Sequence, residues 1–133
     1  MATITEDYVS FETAMLLKEK GFNEPCYTCY LNKELSHYDY LSTNFELIDD
    51  VISAPTLQMT MKWLREVHNI FICIIPSEVG VGVMDYTYVL YKIDVKNFYF
   101  ENLGVQGRAK NINEVSYEQA CESAIKYCLE NLI

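Results

Sequence analysis

The sequence predicts an α+β fold: a mostly antiparallel sheet of about five or six strands with three helices packed on it. Three observations carry that prediction. Three segments place apolar residues at helical spacing behind capping residues. Between them lie short runs rich in Tyr, Val and Ile, bounded by Gly and Asn. The resulting order, α-ββ(β)-α-β-ββ-α, mixes helices and strands without the regular alternation of a parallel sheet. The chain has 133 residues, no repeat and no Pro/Gly/Ser-rich linker, so one domain over 1–133 is expected.

The first helix is expected over Phe11–Lys20, with Ser10 as N-cap and Gly21 just past its end. Pro25–Leu31 and His37–Leu41 read as a hairpin joined by Asn32–Ser36, and Asn44–Ile48 as a third short strand. The second helix is expected over Pro55–His68. Ser53 is in place to cap it, Pro55 fits the first turn, and Leu57, Met61, Leu64 and Val67 form its stripe. Asn69 is a stop. Ile70–Ile75 is a continuous apolar run, the pattern of a central strand. Tyr86–Val95 and Asn97–Leu103 follow as strands, with Gly80 and Gly82 in the connection before them. The third helix opens on Ser116-Tyr-Glu-Gln119, a capping box. Its apolar stripe runs from Tyr117 through Ala120, Cys121, Ala124, Ile125, Cys128 and Leu129 to Leu132. Glu122 and Lys126 are spaced as an i,i+4 pair on its wet face.

Charge and composition exclude several function classes. Half the residues are hydrophobic and 14% are aromatic, which excludes a disordered chain. No apolar run approaches ~18 residues, so no spanning helix and no membrane partner are expected. The opening MATITEDYVSF has neither a basic nor an apolar signal region, which points to the cytoplasm. The formal net charge is −9. Residues 1–50 hold ten acids and three lysines, and residues 51–133 hold nine acids and seven bases. Without a Lys/Arg cluster, duplex nucleic acid is not an expected partner.

The five cysteines are Cys26, Cys29, Cys73, Cys121 and Cys128. An odd count without a secretion signal fits free thiols in a reducing compartment. Cys26 and Cys29 form a C-x-x-C. On a strand these two point to opposite faces, so core packing is the expected role over half a zinc site or a redox pair. No metal or cofactor is expected. Cys73 reads as a small buried hydrophobe. The two histidines are His37, opening a strand, and His68, ending the second helix, where the dipole favours a cation. No G-x-S-x-G, Walker A or G-x-G-x-x-G is present, so an enzyme is the less expected class.

One stretch stands out as a ligand-contact candidate. Asn102–Asn113 (NLGVQGRAKNIN) contains no acid in an acidic chain, and presents Gln106, Arg108 and Lys110 among glycines and asparagines. Such a loop after the last strand can offer backbone N–H groups and cations to an anion. Trp63 and Arg65 in KWLRE of the second helix are further candidates, with Trp63 about 100° round from the core stripe. Eleven tyrosines suit both sheet filling and ring stacking, and Tyr88 is the stacking candidate among them.

Three phrases carry a family resemblance: YVSFETAMLLKEKGFNEPC near the start, APTLQMTMKWLREVHNIFI in the middle and SYEQACESAIKYCLENLI at the end. Together they resemble small proteins carried by phages and prophages of gut bacteria. The resemblance implies a setting in the host cytoplasm, with action against host defence by binding a host protein or by sequestering a nucleotide signal in a homo-oligomer. It assigns no residue a role. The expected function is therefore a non-catalytic accessory binder. In its sharpest form it is a sponge for a nucleotide signal, with Arg108 and Lys110 on phosphates and Tyr88 or Trp63 on a base. One alternative is a protein–protein inhibitor or assembly factor acting through the acidic half, with Glu46, Asp49 and Asp50 in contact. Another is a small nucleotide-processing enzyme with His68 or a carboxylate as base.

Overall fold

In the computed structural model of the chain, which describes residues 3–44, 50–78, 82, 84–109 and 114–133, each helix begins at a hydroxyl. Ser10 caps α1 (Phe11–Glu19) by accepting from the Thr13 N–H, and Gly21 follows the helix with φ +91°. Thr56 caps α2 (Leu57–His68) by accepting from the Met59 N–H. The expectation that Ser53 caps this helix is corrected. Ser53 is buried at the end of a strand, and its N–H donates to Asn44 Oδ1 at 2.9 Å. Asn69 ends α2 in the left-handed conformation, as its position predicts. Ser116 and Gln119 form the expected capping box of α3 (Tyr117–Asn131).

The strands are β1 (Cys26–Leu31), β2 (Glu34–Ser42), β3 (Val51–Ser53), β4 (Ile70–Glu78), β5 (Met84–Asp94) and β6 (Tyr99–Gly107). The fold is α+β and antiparallel, as the sequence predicts. Among the described residues, however, the strands form two sheets rather than one, in the orders β2–β1–β3 and β4–β5–β6. The β1–β2 turn is shorter than expected. Asn32 and Lys33 both take positive φ, 53° and 65°, the signature of a two-residue type I′ hairpin. Of the strand expected at Asn44–Ile48, residues 45–48 lie outside the described residues, and Asn44 belongs to no strand. The third strand of this sheet is β3, paired with β1 from Cys29↔Ser53 to Leu31↔Val51.

The second sheet is more regular. β4 and β5 pair without a break from Ile70↔Lys92 to Glu78↔Met84. Among the described residues β4 pairs with β5 alone, so β5 and not β4 takes the central place expected of Ile70–Ile75. The expected strand at Asn97–Leu103 starts at Tyr99 and runs on to Gly107, so Gly104–Gly107, expected as loop, belongs to β6, with Gln106 opposite Val89.

Helix α3 joins the two sheets. It packs against α1, α2, β4 and β5, while α1 also packs on β3. Ala120, Cys121, Ala124, Ile125, Cys128 and Leu129 are all fully buried on it. One buried cluster includes Leu17, Phe22, Leu64, Ile70 and Leu90 together with Ile125 and Leu129. The i,i+4 pairing of Glu122 with Lys126 gives way to contacts between helices. Glu122 accepts at one oxygen from the Ser10 N–H (3.1 Å), the Ser10 hydroxyl and the Thr13 hydroxyl (2.6 Å), and so covers the N-terminus of α1. Lys126 pairs with Glu12 at 3.0 Å, which raises its pKa. No helix among the described residues is long and apolar enough to cross a membrane.

Candidate functional site

The residues singled out from the sequence do not converge on one open site. Arg108 is committed to the protein. Its Nε donates to Asp85 Oδ2 at 2.7 Å and its Nη2 to Asp85 Oδ1 at 3.3 Å. Asp85 is 1% exposed and also accepts from the Val115 N–H at 2.7 Å. The Arg108 guanidinium holds the Asp85 carboxyl below its ordinary range. Desolvation opposes that shift, and the Val115 and Tyr86 N–H groups reinforce it. The pair therefore fastens the chain after β6 onto β5, ahead of α3. Gln106 is exposed on β6, and Lys110 lies outside the described residues.

Tyr88 and Trp63 are core residues, which corrects their reading as open stacking surfaces. Tyr88 is 5% exposed, with its ring 6.4 Å from that of Tyr127. Its hydroxyl lies so close to Gly107 that a Cβ there would collide with it. Glycine is required at 107 by that approach. Trp63 is buried edge-on between Phe22, at 5.4 Å, and His68, at 4.7 Å. Phe22 covers the ring from outside the helix, although Met59 and Val67, four residues to either side on α2, stay exposed. Arg65 is half-buried on the same helix, on a different element from Arg108 and Gln106.

The histidines and cysteines take structural places. His37 meets the Tyr8 ring edge-on at 5.8 Å. His68 does not become the helix-end cation expected of it. Burial, and then the nearby Lys92 charge, lower its pKa below 6.5. Its Nε2 is buried without a hydrogen-bond partner. Cys26, Cys29, Cys121 and Cys128 are buried free thiols. Burial pushes Cys26 and Cys121 up to about 11 and Cys128 up to about 12, so none of the three is a ready thiolate. Among the described residues no group of three His, Cys, Asp or Glu side chains could hold a metal ion.

Among the described residues a broad open feature lies elsewhere, on the outer face of the β4–β5–β6 sheet. The inner face sends Ile70, Ile72, Tyr88 and Leu90 into the core. By strand alternation the opposite face carries Phe71, Cys73 and Ile75 on β4 and Val89, Tyr91 and Ile93 on β5. Phe100 on β6 pairs with Ile93 and meets the Tyr91 ring at 5.9 Å. Phe71 meets the other side of Tyr91 at 6.4 Å. Phe71, Cys73, Tyr91, Ile93 and Phe100, together with Asp94, Val95, Phe98 and Tyr99, line an apolar concavity of about 660 Å³. A second cleft of about 440 Å³ adjoins it and adds Asn69, Lys92, Lys96 and Glu101.

The β5–β6 turn makes this face unusual. Asp94 accepts from the Asn97 N–H at 3.2 Å and from its side-chain amide at 2.8 Å, which fixes the turn and lowers the Asp94 pKa. Phe98 then takes φ +52° and is 96% exposed. A bulky side chain in that region costs about 1–2 kcal/mol, and Phe98 recovers none of it by burial within its own chain.

Sequence reasoning missed this face because a continuous apolar run fits either a doubly covered central strand or an edge strand with one bare apolar face. The signal that separates them is the aromatic triplet Phe98-Tyr99-Phe100 directly after a polar turn. It adds apolar surface where three helices already have a sheet face to cover.

Compared with known proteins, the chain matches no family model, no curated protein and no solved structure.

Proposed function

We propose that this protein is a phage-type accessory protein that acts by binding rather than catalysis, and that its working surface is the outer face of β4–β5–β6, which takes a protein partner. The observation that carries this reading is a broad, almost wholly apolar face left open on a chain of charge −9. Monomeric proteins rarely leave such surface uncovered, and its rings are of the kind enriched at the centres of protein interfaces. The walls of the concavity offer rings and alkyl groups, and its one carboxylate, Asp94, is engaged by Asn97. The free thiols fit action in a reducing cytoplasm.

A nucleotide ligand is the less favoured occupant. The lysines beside the aromatic concavity, Lys92 and Lys96, share their cleft with Asp94 and Glu101, so the site offers an anion no net positive charge. The acidic-half alternative is not the surface argued here: Glu46 and Asp49 lie outside the described residues, and Asp50 is exposed.

A thermal-shift screen against linear and cyclic nucleotides tests the reading. No nucleotide is expected to raise the melting temperature. A ligand at ~100 times its Kd adds about 2.7 kcal/mol, several degrees for a chain of this size. Such a shift, lost in Lys92→Ala, would overturn the assignment of this face to a protein.

A further inference from the structure

We infer that the partner on this face is a second copy of the chain, packed sheet against sheet about a two-fold axis. This rests on the reading that the outer face of β4–β5–β6 is a protein-binding surface. It adds the identity of the occupant, from three observations.

The first is area. Phe71, Phe98, Tyr99 and Phe100 are 40, 96, 57 and 67% exposed. At roughly 200 Å² per aromatic side chain they present about 500 Å² of ring surface. Val95 and Ile75 extend the patch toward the roughly 800 Å² per partner of a standard interface. Two such faces stack at the ordinary ~10 Å sheet spacing.

The second is charge. An isologous interface sets the same patch against itself, so the patch must tolerate its own charges. Most of a chain of charge −9 repels a copy of itself. The concavity itself is lined by a single charged side chain, Asp94, and Asn97 engages it. Lys92 and Glu101, paired across β5 and β6, fall by alternation on the inner side with Ile70 and stay off the patch. A second copy therefore meets little of its own charge on this patch, whatever the repulsion between the rest of the two chains.

The third is Phe98. It holds an unfavourable backbone conformation with its ring almost wholly exposed. Asn or Gly suits that turn position better. An aromatic side chain there gains its contacts only from a surface outside its own chain.

Light scattering of the full chain over about a hundredfold range of concentration tests the inference. The expected result is twice the 15.5 kDa chain mass at the top of the range, falling toward the chain mass on dilution. Added salt is expected to tighten association, because it screens the repulsion between two acidic chains while leaving the apolar contact intact. Cys73, the one described cysteine that is not buried, supplies a second readout. Its reaction with a thiol reagent is expected to be slow where the dimer dominates and fast after dilution. Phe100→Asp is expected to be monomeric throughout, with fast Cys73 reaction and an unchanged circular dichroism spectrum. Phe98→Asn keeps the turn and is expected to raise the dimer Kd at least about tenfold. A wild-type mass equal to one chain at every concentration would overturn the second copy as partner. So would a dimer that neither variant weakens. Either result with a blank nucleotide screen leaves the face to a different protein, whereas a Lys92-dependent nucleotide shift removes the protein-binding reading itself.

Discussion

The two sheets treat their exposed aromatics differently. In β2–β1–β3 the exposed rings are tyrosines. Tyr27 and Tyr40 keep their hydroxyls near water, and Tyr38 stacks on Tyr40 at 5.4 Å. In β4–β5–β6 they are chiefly phenylalanines, Phe71, Phe98 and Phe100, which have no polar tip. The hairpins differ in the same sense. The β1–β2 turn puts Asn32, which tolerates positive φ, in the left-handed region, while the β5–β6 turn puts Phe98, its last residue, there. The first sheet is also tied to its own chain by polar side chains. Asn44 donates to the Phe22 carbonyl at 2.7 Å and accepts from Ser53, and the Tyr30 hydroxyl donates to the Val9 carbonyl at 2.7 Å. The first sheet is finished within one chain. The second is finished on its inner face only.

The sharpest way to break this comparison is to truncate the two faces of the second sheet in turn. Leu90 is fully buried on the inner face, and Leu90→Ala is expected to lower stability by about 3 kcal/mol in urea unfolding. Phe100→Ala, on the outer face, is expected to cost under about 0.5 kcal/mol when measured at dilution. Equal costs would mean that the outer face is already covered within the chain. In the first sheet, Asn44→Ala leaves the Ser53 N–H and the Phe22 carbonyl without their side-chain partner. It is expected to cost about 1–3 kcal/mol. The hairpins should respond in opposite directions. Asn32→Ala is expected to cost about 1 kcal/mol, and Phe98→Asn to gain about 1 kcal/mol in the dilute chain. If Phe98→Asn destabilises the dilute chain, the ring has a role inside its own fold and the contrast between the turns fails.

The helices were legible in the sequence because caps and periodicity are local. Ser10, the Ser116–Gln119 box and Asn69 act within one turn of where they stand. Thr56 was missed because Ser53 and Pro55 offered an equally local start, and only the pairing of Ser53 with Cys29 across β1 removes it. The hairpins were legible from their strands, and the division into two sheets was not. Which strands pair is a long-range matter, and an apolar run such as IFICII satisfies a central or an edge position equally well. The site failed for a related reason. The acid-free stretch at 102–113 looked like a loop seeking an anion. Arg108 instead serves Asp85, 23 residues earlier, and no spacing rule links the two. Trp63 and Tyr88 were legible as aromatics, but not as core, because their cover comes from Phe22 and α3.

The smallest effect expected is a pH dependence at the junction of α2 with the second sheet. His68 sits edge-on to Trp63, the single tryptophan. Lys92 donates to the His68 carbonyl at 3.1 Å, and its charge adds to burial in lowering the His68 pKa. The folded state therefore holds His68 neutral, while the unfolded chain takes up a proton near 6.5. Stability is then at its full value above pH 6.5 and falls as pH drops from there toward the lower folded value, because the unfolded chain binds the extra proton. Asp85 follows a different window. Its folded pKa lies below 3.8, so its contribution is intact above that value and is lost only as the folded pKa is crossed. Two separate acid-side losses are thus expected in unfolding midpoints. His68→Gln should remove the one near neutrality, and Asp85→Asn the one at low pH. Trp63 emission in the folded protein should change only below pH 6.5, as the imidazole across its edge gains charge. A change centred at or above 6.5 would mean that the ring is not shielded as the packing of α2 on β4 requires.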